Sequence, residues 1–414
     1  MTSVLPLRRV RGVAEPVLVR LAERVLLAAA SRIREDRLDL TLPDGTSRSF
    51  GDARAADRAE IIVHDPAAYL RILVGGETGL GEAYVDGLWS SPDLPAAIRV
   101  GARNREALSL STGLLRAPDQ LRRTVSHRLR RNTRAGAQRN IAAHYDLGNE
   151  FYRLWLDETL TYSSAVFASP DQSLADAQRN KYRLIADGAG LRAGMHVLEV
   201  GSGWGGFALY AAGERGCRVT SITISREQHD LARERVSAAG LEDRVDIQLR
   251  DYRDLDGRYD AVVSIEMFEA VGAEYFEAFF RACSAALVPG GRLSLQTITV
   301  PDVGFRRQVG GANWIQTYIF PGGLLPSLAA IERSLHGTGF VVTGVRDIAR
   351  HYVRTLRAWR HAFGARREEV LAMGFDERFL RTWEYYLSLS EAGFATGVTQ
   401  DLQITLEKRL PVAA

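Results

Sequence analysis

The chain has 414 residues, 46% hydrophobic and 25% charged, with 53 basic against 50 acidic side chains and a net charge of +3. That length gives room for two or three domains with a substantial core, and no apolar run reaches the ~20 residues a membrane-spanning helix needs. The eight histidines and two cysteines form no metal-spaced cluster, which argues against a metal centre, and Cys217 and Cys283 read as buried thiols of a protein in a reducing cytoplasm.

Near the start, Val17 to Ala30 is apolar but interrupted by Arg20, Glu23 and Arg24. That spacing suits an amphipathic helix rather than the core of a signal peptide. Leu38-Asp-Leu-Thr-Leu42 alternates and runs into Pro43-Asp-Gly45, a hairpin signal. Asp65-Pro-Ala-Ala-Tyr69 predicts a helix start with a capping acid and a proline at the first helical position. Residues 1–115 therefore read as a small α+β domain, for which self-association (a homo-oligomer) and membrane docking both stay open.

An arginine-rich linker, 116–140, follows. It carries Arg116, Arg122, Arg123, Arg128, Arg130, Arg131, Arg134 and Arg139 against a single acid, Asp119. A solvated linker explains this as well as contact with an anionic membrane surface, where each arginine would contribute about 1 kcal/mol. The same charge would serve RNA, but no aromatics are interleaved for base stacking, so no nucleic-acid partner is expected.

After a helix around Asn140 to Leu156, the pattern becomes alternating strand and helix. The apolar run Val197-Leu-Glu-Val200 enters the turn Gly201-Ser-Gly-Trp-Gly-Gly206 and opens into a helix at Phe207. A strand stopping in such a turn lets backbone N–H groups approach a ligand with no Cβ in the way. The turn fits a dinucleotide fingerprint only loosely and lacks the Lys-Ser/Thr of a P-loop, so a zwitterionic nucleoside such as S-adenosylmethionine suits it better. Cys217 to Thr223 predicts a second strand, Ser225 to Ala239 a helix, Arg244 to Leu249 a third strand and Tyr259 to Ser264 a fourth. This order argues for an α/β fold with a parallel, doubly wound sheet and its ligand at the strand carboxyl ends. Residues 313–397 interrupt the alternation with aromatic-rich sequence expected to be helical.

Several motifs converge on one family. His144-Tyr-Asp-Leu-Gly-Asn149, Thr161-Tyr-Ser-Ser-Ala165, the glycine turn, Thr223-Ile-Ser-Arg-Glu-Gln228, Asp251-Tyr-Arg-Asp-Leu255, Met267-Phe-Glu-Ala-Val-Gly272 and Tyr318-Ile-Phe-Pro-Gly322 resemble, in order and spacing, the cyclopropane-fatty-acyl-phospholipid synthases. Gly79-Leu-Gly-Glu-Ala-Tyr-Val-Asp-Gly-Leu-Trp89 resembles the N-terminal domain of the phospholipid-acting members. The resemblance implies a Rossmann-like class I methyltransferase with a seven-stranded sheet over 141–414, S-adenosylmethionine as methyl donor, and unsaturated phospholipid acyl chains as substrate at the inner face of the membrane.

It also implies donor contacts. Tyr162 and Ser163 flank the methionine end, and Glu199, Gly201, Gly203 and Trp204 belong to the strand and turn beneath it. Thr223 and Gln228 meet the ribose, with Asp251 and Tyr252 near the adenine. Many methyltransferases grip the ribose with an acid after the second strand; Thr223 stands there, which leaves that task to Gln228.

An alkene attacking the donor methyl leaves a carbocation on the acyl chain, and a base must then remove a proton. Direct loss from the new methyl closes a cyclopropane; loss from elsewhere, or after a hydride shift, gives a methylene or shifted alkene. In the family the base is a bicarbonate ion held by a Cys, a Glu, a His, an Ile amide and a Tyr. The matching positions are Ser164, Glu269, Gln296, Ile298 and Tyr352, so two of the five depart. Gln296 is never cationic, and Glu266 replaces a small residue, so bicarbonate binding is expected to weaken. If the segment is helical, Glu266 and Glu269 share a face, and paired carboxylates raise one pKa. The expectation is that Glu266 or Glu269 takes over part of the base's role and the product is a methylene chain. A partner reductase would then convert it to a 10-methyl branch. Cyclopropanation is the alternative; an RNA or small-molecule methyltransferase and a silent lipid-binding module are the more distant rivals.

Overall fold

The computed structural model describes residues 15–108, 132–133, 136–137 and 147–409. Most of the arginine-rich linker and the motif residues His144, Tyr145 and Asp146 lie outside the described residues. The chain divides into two compact units, Met1–Asp119 and Gln120–Ala414.

The first unit holds α1 (Glu15–Ala30), β1 (Arg37–Thr41), β2 (Ser47–Gly51), β3 (Arg58–Val63), α2 (Ala67–Val85), β4 (Trp89–Ser90) and α3 (Leu94–Arg103). Its sheet runs β2-β1-β3-β4, with β1 and β2 forming the hairpin expected at Pro43-Asp-Gly45. Helix α2 starts one residue late. Pro66 is the N-cap, and the Asp65 carboxylate accepts the Ala67 N–H instead of capping the helix directly.

The second unit opens with α4 (Asn149–Arg153) and α5 (Leu174–Ala189), then β5 (His196–Val200), α6 (Gly206–Gly213), β6 (Arg218–Thr223), α7 (Arg226–Ala238), β7 (Val245–Leu249), β8 (Tyr259–Ile265), α8 (Phe276–Ala286) and β9 (Leu287–Thr299). It closes with α9 (Asp302–Gly310), α10 (Trp314–Tyr318), α11 (Leu328–Ser334), β10 (Phe340–Asp347), α12 (Ala349–Ala365), α13 (Arg367–Ala372), α14 (Glu377–Ala395) and β11 (Gln400–Lys408). The seven strands run β10-β11-β9-β8-β5-β6-β7, and β11 is antiparallel to both its neighbours. The parallel pairs are β5 with β6, β6 with β7, β5 with β8, and β8 with β9. This is the class I methyltransferase arrangement. Strand order reverses between β5 and β8, so a crevice opens where those two strands end.

Both faces of the sheet are buried, and β5 shows why its sequence is nearly all apolar. Val197 packs with Ala208, Ala211 and Ile185 on one side, while Leu198 and Val200 pack with Phe268, Phe279 and Phe280 on the other. Helix α5 covers the first face. Ser173 caps it by accepting the Asp176 N–H, Gly190 ends it with φ 68°, and Ala177, Lys181, Ile185 and Ala189 form its buried stripe. Cys217 and Cys283 are buried free thiols.

The expectation of an all-helical segment over 313–397 is corrected by β10, which lies inside that range and pairs along β11. Its later half is exposed at the sheet edge, so the run carries no continuous apolar face to announce it. The helical material is α10 to α14 on either side of this strand. Among the described residues no helix is long and apolar enough to cross a membrane.

Candidate active site

Strand β5 stops at Val200, and the chain turns through Gly201 at φ 99° and Gly203 at φ 48° before α6 begins. A Cβ at Gly201 would lie 2.9 Å from the Met267 side chain, so glycine is required there by space as well as by φ. Glu199 points away from this turn into the sheet's α5 side. Its carboxyl accepts the Ser221 hydroxyl and is pushed up to about 8, chiefly by burial.

Trp204 is buried, with its Nε1 donating to Asn149 Oδ1 at 2.8 Å and its backbone carbonyl held by Arg235 at 2.6 Å. Thr223 at the end of β6 donates its hydroxyl to Gln228 Oε1 at 2.9 Å, and Ser225 caps α7 onto the Gln228 N–H. With its oxygen engaged, Gln228 has its amide nitrogen to offer a ligand, which suits the ribose hydroxyls. Asp251 caps the short turn Tyr252–Asp254 and pairs with Arg253 at 2.6 Å, while the guanidinium of Arg253 lies over the Tyr252 ring. Of the residues expected around the donor, Gly201, Gly203, Trp204, Thr223, Gln228, Asp251 and Tyr252 stand at or just beyond the carboxyl ends of β5, β6 and β7, Tyr162 and Ser163 lie ahead of α5, and Glu199 points away. A glycine turn without Cβ atoms in the way and a neutral amide match a zwitterionic nucleoside, and no phosphate-binding cation stands in the turn.

A ladder of rings runs from the glycine turn into the helical layer. Trp204 packs on Tyr152 (4.9 Å between centroids), Tyr152 on Tyr162 (5.5 Å), Tyr162 on Trp359 (5.4 Å) and Trp359 on Tyr352 (6.0 Å). The Tyr162 hydroxyl pairs with that of Tyr386 at 2.8 Å. Such faces are suitable neighbours for a transient cation, each worth about 0.5–2 kcal/mol.

At the far end of the ladder the expected base residues come together around Glu266. This residue follows β8 directly and is held at φ 47°, a left-handed conformation costing a non-glycine residue about 1 kcal/mol or more. The segment is not a helix there, so the expectation that Glu266 and Glu269 share a helical face is corrected. The kink sends the two carboxylates to different partners. Glu266 Oε1 accepts the Ser164 N–H at 2.8 Å and Gln296 Nε2 at 2.7 Å, and Oε2 accepts the Tyr352 hydroxyl at 2.7 Å. Burial first, and the Glu266 charge second, hold the Tyr352 phenol well above its ordinary value, so it stays a donor.

Glu269 sits in the short turn Phe268–Ala270, where its Oε1 takes the Ile298 N–H and the Thr297 hydroxyl. Its Oε2 has no partner among the described residues. Burial, then the charge on Glu266, push this carboxyl up to about 8. Ser164 contributes its backbone N–H, while its own hydroxyl turns to the Ala165 carbonyl. Three positions that the resemblance assigns to bicarbonate thus spend a donor on the Glu266 carboxylate, Ser164 through its backbone N–H and Gln296 and Tyr352 through their side chains.

Two buried charged residues of this centre were missed by the sequence reading. Lys181, on the buried stripe of α5, donates from Nζ to Ser163 Oγ at 2.6 Å; burial pulls it down to about 8 against the attraction of Glu266 and Asp401. Asp401, fully buried on β11, accepts Gln296 Nε2 at 3.1 Å. A lysine at an otherwise apolar helix position was the available signal for the first.

Comparison with known proteins agrees with this architecture. The sequence profile of the mycolic acid cyclopropane synthetase family matches residues 132–404. The chain is 41% identical over 411 residues to the tuberculostearic acid methyltransferase UfaA1 of Mycobacterium tuberculosis, covering 97% of this chain and 94% of that one. It is 34% identical over 354 residues to the cyclopropane-fatty-acyl-phospholipid synthase of Escherichia coli K12, covering 84% and 88%. Among solved structures, the mycolic acid cyclopropane synthase CmaA1 complexed with SAH and CTAB superposes with a TM-score of 0.62 at 32% identity, over 66% of this chain and 98% of that one. With its class I sheet and its glycine turn, the chain belongs to the mycolic acid cyclopropane synthetase family of S-adenosylmethionine-dependent methyltransferases.

Proposed function

We propose that the protein methylates the double bond of unsaturated phospholipid acyl chains and releases a methylene chain, the precursor of a 10-methyl branch. S-adenosylmethionine supplies an electrophilic methyl on a sulfonium. The alkene π pair forms the new carbon–carbon bond as the bond to sulfur breaks with its pair on sulfur, which leaves a cation on the acyl chain. Holding the two partners in line can offset about 7–11 kcal/mol of barrier. The ring ladder from Trp204 to Tyr352 excludes water that would trap the cation.

The observation that carries the product assignment is the Glu266 carboxylate taking three donors, from positions that the resemblance assigns to bicarbonate. A base fixed to the chain approaches the cation from another place than a free ion. Once a hydride has moved from the newly methylated carbon to its cationic neighbour, the methyl-bearing carbon carries the positive charge, and loss of a methyl proton to Glu266 leaves the C–H bonding pair as the C=CH2 double bond of a methylene branch. On this reading bicarbonate is dispensable. Similarity to a tuberculostearic acid methyltransferase along 97% of the chain supports the same outcome. We place the reaction at the cytoplasmic face of an anionic membrane, with a partner reductase saturating the product.

The test is mass spectrometry of lipids from a host expressing the protein. Unsaturated chains one methylene unit heavier, which hydrogenate to a methyl branch, are expected. Chains of the same mass that resist mild hydrogenation would establish cyclopropanation, the reading that the family match otherwise favours.

A further inference from the structure

The mechanism above leaves one fully buried acid unused. Asp401 stands near the start of β11 beside Gln296 of β9, whose side-chain amide reaches two carboxyls at once: Glu266 Oε1 at 2.7 Å and Asp401 Oδ2 at 3.1 Å. The amide's own oxygen is held by Gln403 Nε2 at 3.1 Å, so its orientation is set from below. Asp401 Oδ1 receives no donor among the described residues. A bare carboxylate with an orphan oxygen in a dry interior is costly, and a proton shared with a neighbouring carboxyl removes that cost.

We propose that Asp401 and Glu266 form one carboxyl pair sharing a single proton, with Asp401 the positioning partner that keeps the pair at one negative charge while Glu266 acts as base. The charges balance. Before proton transfer the pair holds one proton and one negative charge, opposite a singly positive acyl cation. Afterwards the substrate C–H pair has become the new π bond, the carboxyl pair holds two protons, and both are neutral. One proton then passes to solvent before the next turnover.

The surroundings agree with a shared proton. Burial first, then the charges of Glu266 and Glu269 and a hydrogen bond with Glu266, hold Asp401 well above the usual carboxylate range; Lys181 opposes them. The charged and titratable groups facing the pair are Lys181 from α5, Glu269 from the turn after β8, and Tyr352 from α12, with Tyr386 of α14 beyond it.

This inference rests on the reading of Glu266 as base, and the experiment separates the two. Methyl incorporation into vesicles of dioleoyl phosphatidylglycerol is followed against pH for wild type, Asp401→Asn, Asp401→Glu and Glu266→Gln. In wild type the rate falls at high pH as the pair loses its shared proton. Asp401→Asn keeps a donor beside Glu266 but has no proton to lose, so that limb moves up by at least about one pH unit. Asp401→Glu restores it, and Glu266→Gln is inactive throughout. An Asp401→Asn profile superimposable on wild type, with Glu266→Gln inactive, overturns the pair and leaves the base standing; an active Glu266→Gln overturns the base itself. In full-length protein carrying 13C at its aspartate carboxyls, one signal stays protonated at neutral pH. Ionisation of every aspartate there overturns the pair even if the variants fail to fold.

Discussion

Tyr352 and Glu266 stand 86 positions apart and are joined by a 2.7 Å hydrogen bond from the phenol of α12 to the carboxylate that ends β8. The bond ties the helical layer to the sheet at the proposed base. Tyr352 also packs face to face on Phe394 at 4.4 Å, which fixes its ring whether or not the hydroxyl is present. Tyr352→Phe should therefore fold normally and lose one charge-assisted hydrogen bond, worth about 1.5–3 kcal/mol. The expected result is a drop of roughly 10–100-fold in turnover at unchanged donor affinity, measured by single-turnover methyl transfer and by calorimetric titration of the donor. Unchanged turnover would remove Tyr352 from the base's support.

Replacing Glu266 with glycine frees the Ser164, Gln296 and Tyr352 donors together and relieves the left-handed strain at that position. The vacated position is then an anion site of three neutral donors. Glu266→Gly should be nearly inactive in bicarbonate-free buffer and recover in part when bicarbonate is added. Its product should move from methylene toward cyclopropane, read by gas chromatography of the methyl esters. Wild type should ignore bicarbonate. Equal stimulation of both would mean that the ion binds elsewhere.

Glu269 links the site to stability. Its folded carboxyl is pushed up to about 8 from an ordinary 4.5, so between those values the folded state binds more protons than the unfolded. Stability contributed by this group is complete below the unfolded value and is lost as pH rises through the folded one. Glu269→Gln should flatten the decline of thermal midpoint between about pH 5 and 8, lowering the linked proton count by up to about one. Parallel melting curves for variant and wild type across that window would contradict the assignment.

What could be read from the chain follows from how local each signal is. The strand, turn and helix around Gly201 are contiguous, so their glycines and apolar run announce themselves; Glu269, Ile298 and Tyr352 were reached only through the family resemblance. Strand β10 was missed because an edge strand with an exposed later half lacks a clean alternation. Ser164 was named for its side chain, but it acts through a backbone N–H that residue identity does not encode. Lys181 and Asp401 were invisible for a deeper reason. Each becomes buried only when α5 lies on β9 and β11, and elements more than 200 positions apart must stack before either charge meets its partners.

Lys181 gives the most discriminating case, because two magnitudes oppose each other. Removing one member of a buried ion pair commonly costs about 3–5 kcal/mol, since a bare charge is left behind. Here the acid at Glu199 is already pushed up to about 8, and Asp401 is held above its ordinary range, so at neutral pH both are chiefly uncharged without help. Glu266 keeps its three donors. What Lys181→Met forfeits is then mainly the hydrogen bond to Ser163, about 2 kcal/mol, partly offset by no longer burying an ammonium. The pH dependence provides a second reading. Folding pulls the amine from 10.5 down to about 8, so in that interval the unfolded chain binds the extra proton and wild-type stability rises with pH. The methionine variant should melt within a few degrees of wild type at neutral pH yet lack that rise. It should also methylate poorly, because the carboxyls facing position 181 hold their protons more tightly without a cation beside them. A large loss of stability at neutral pH would show instead that Glu199 and Asp401 are ionised in the folded protein, and with them the shared proton would have to be abandoned.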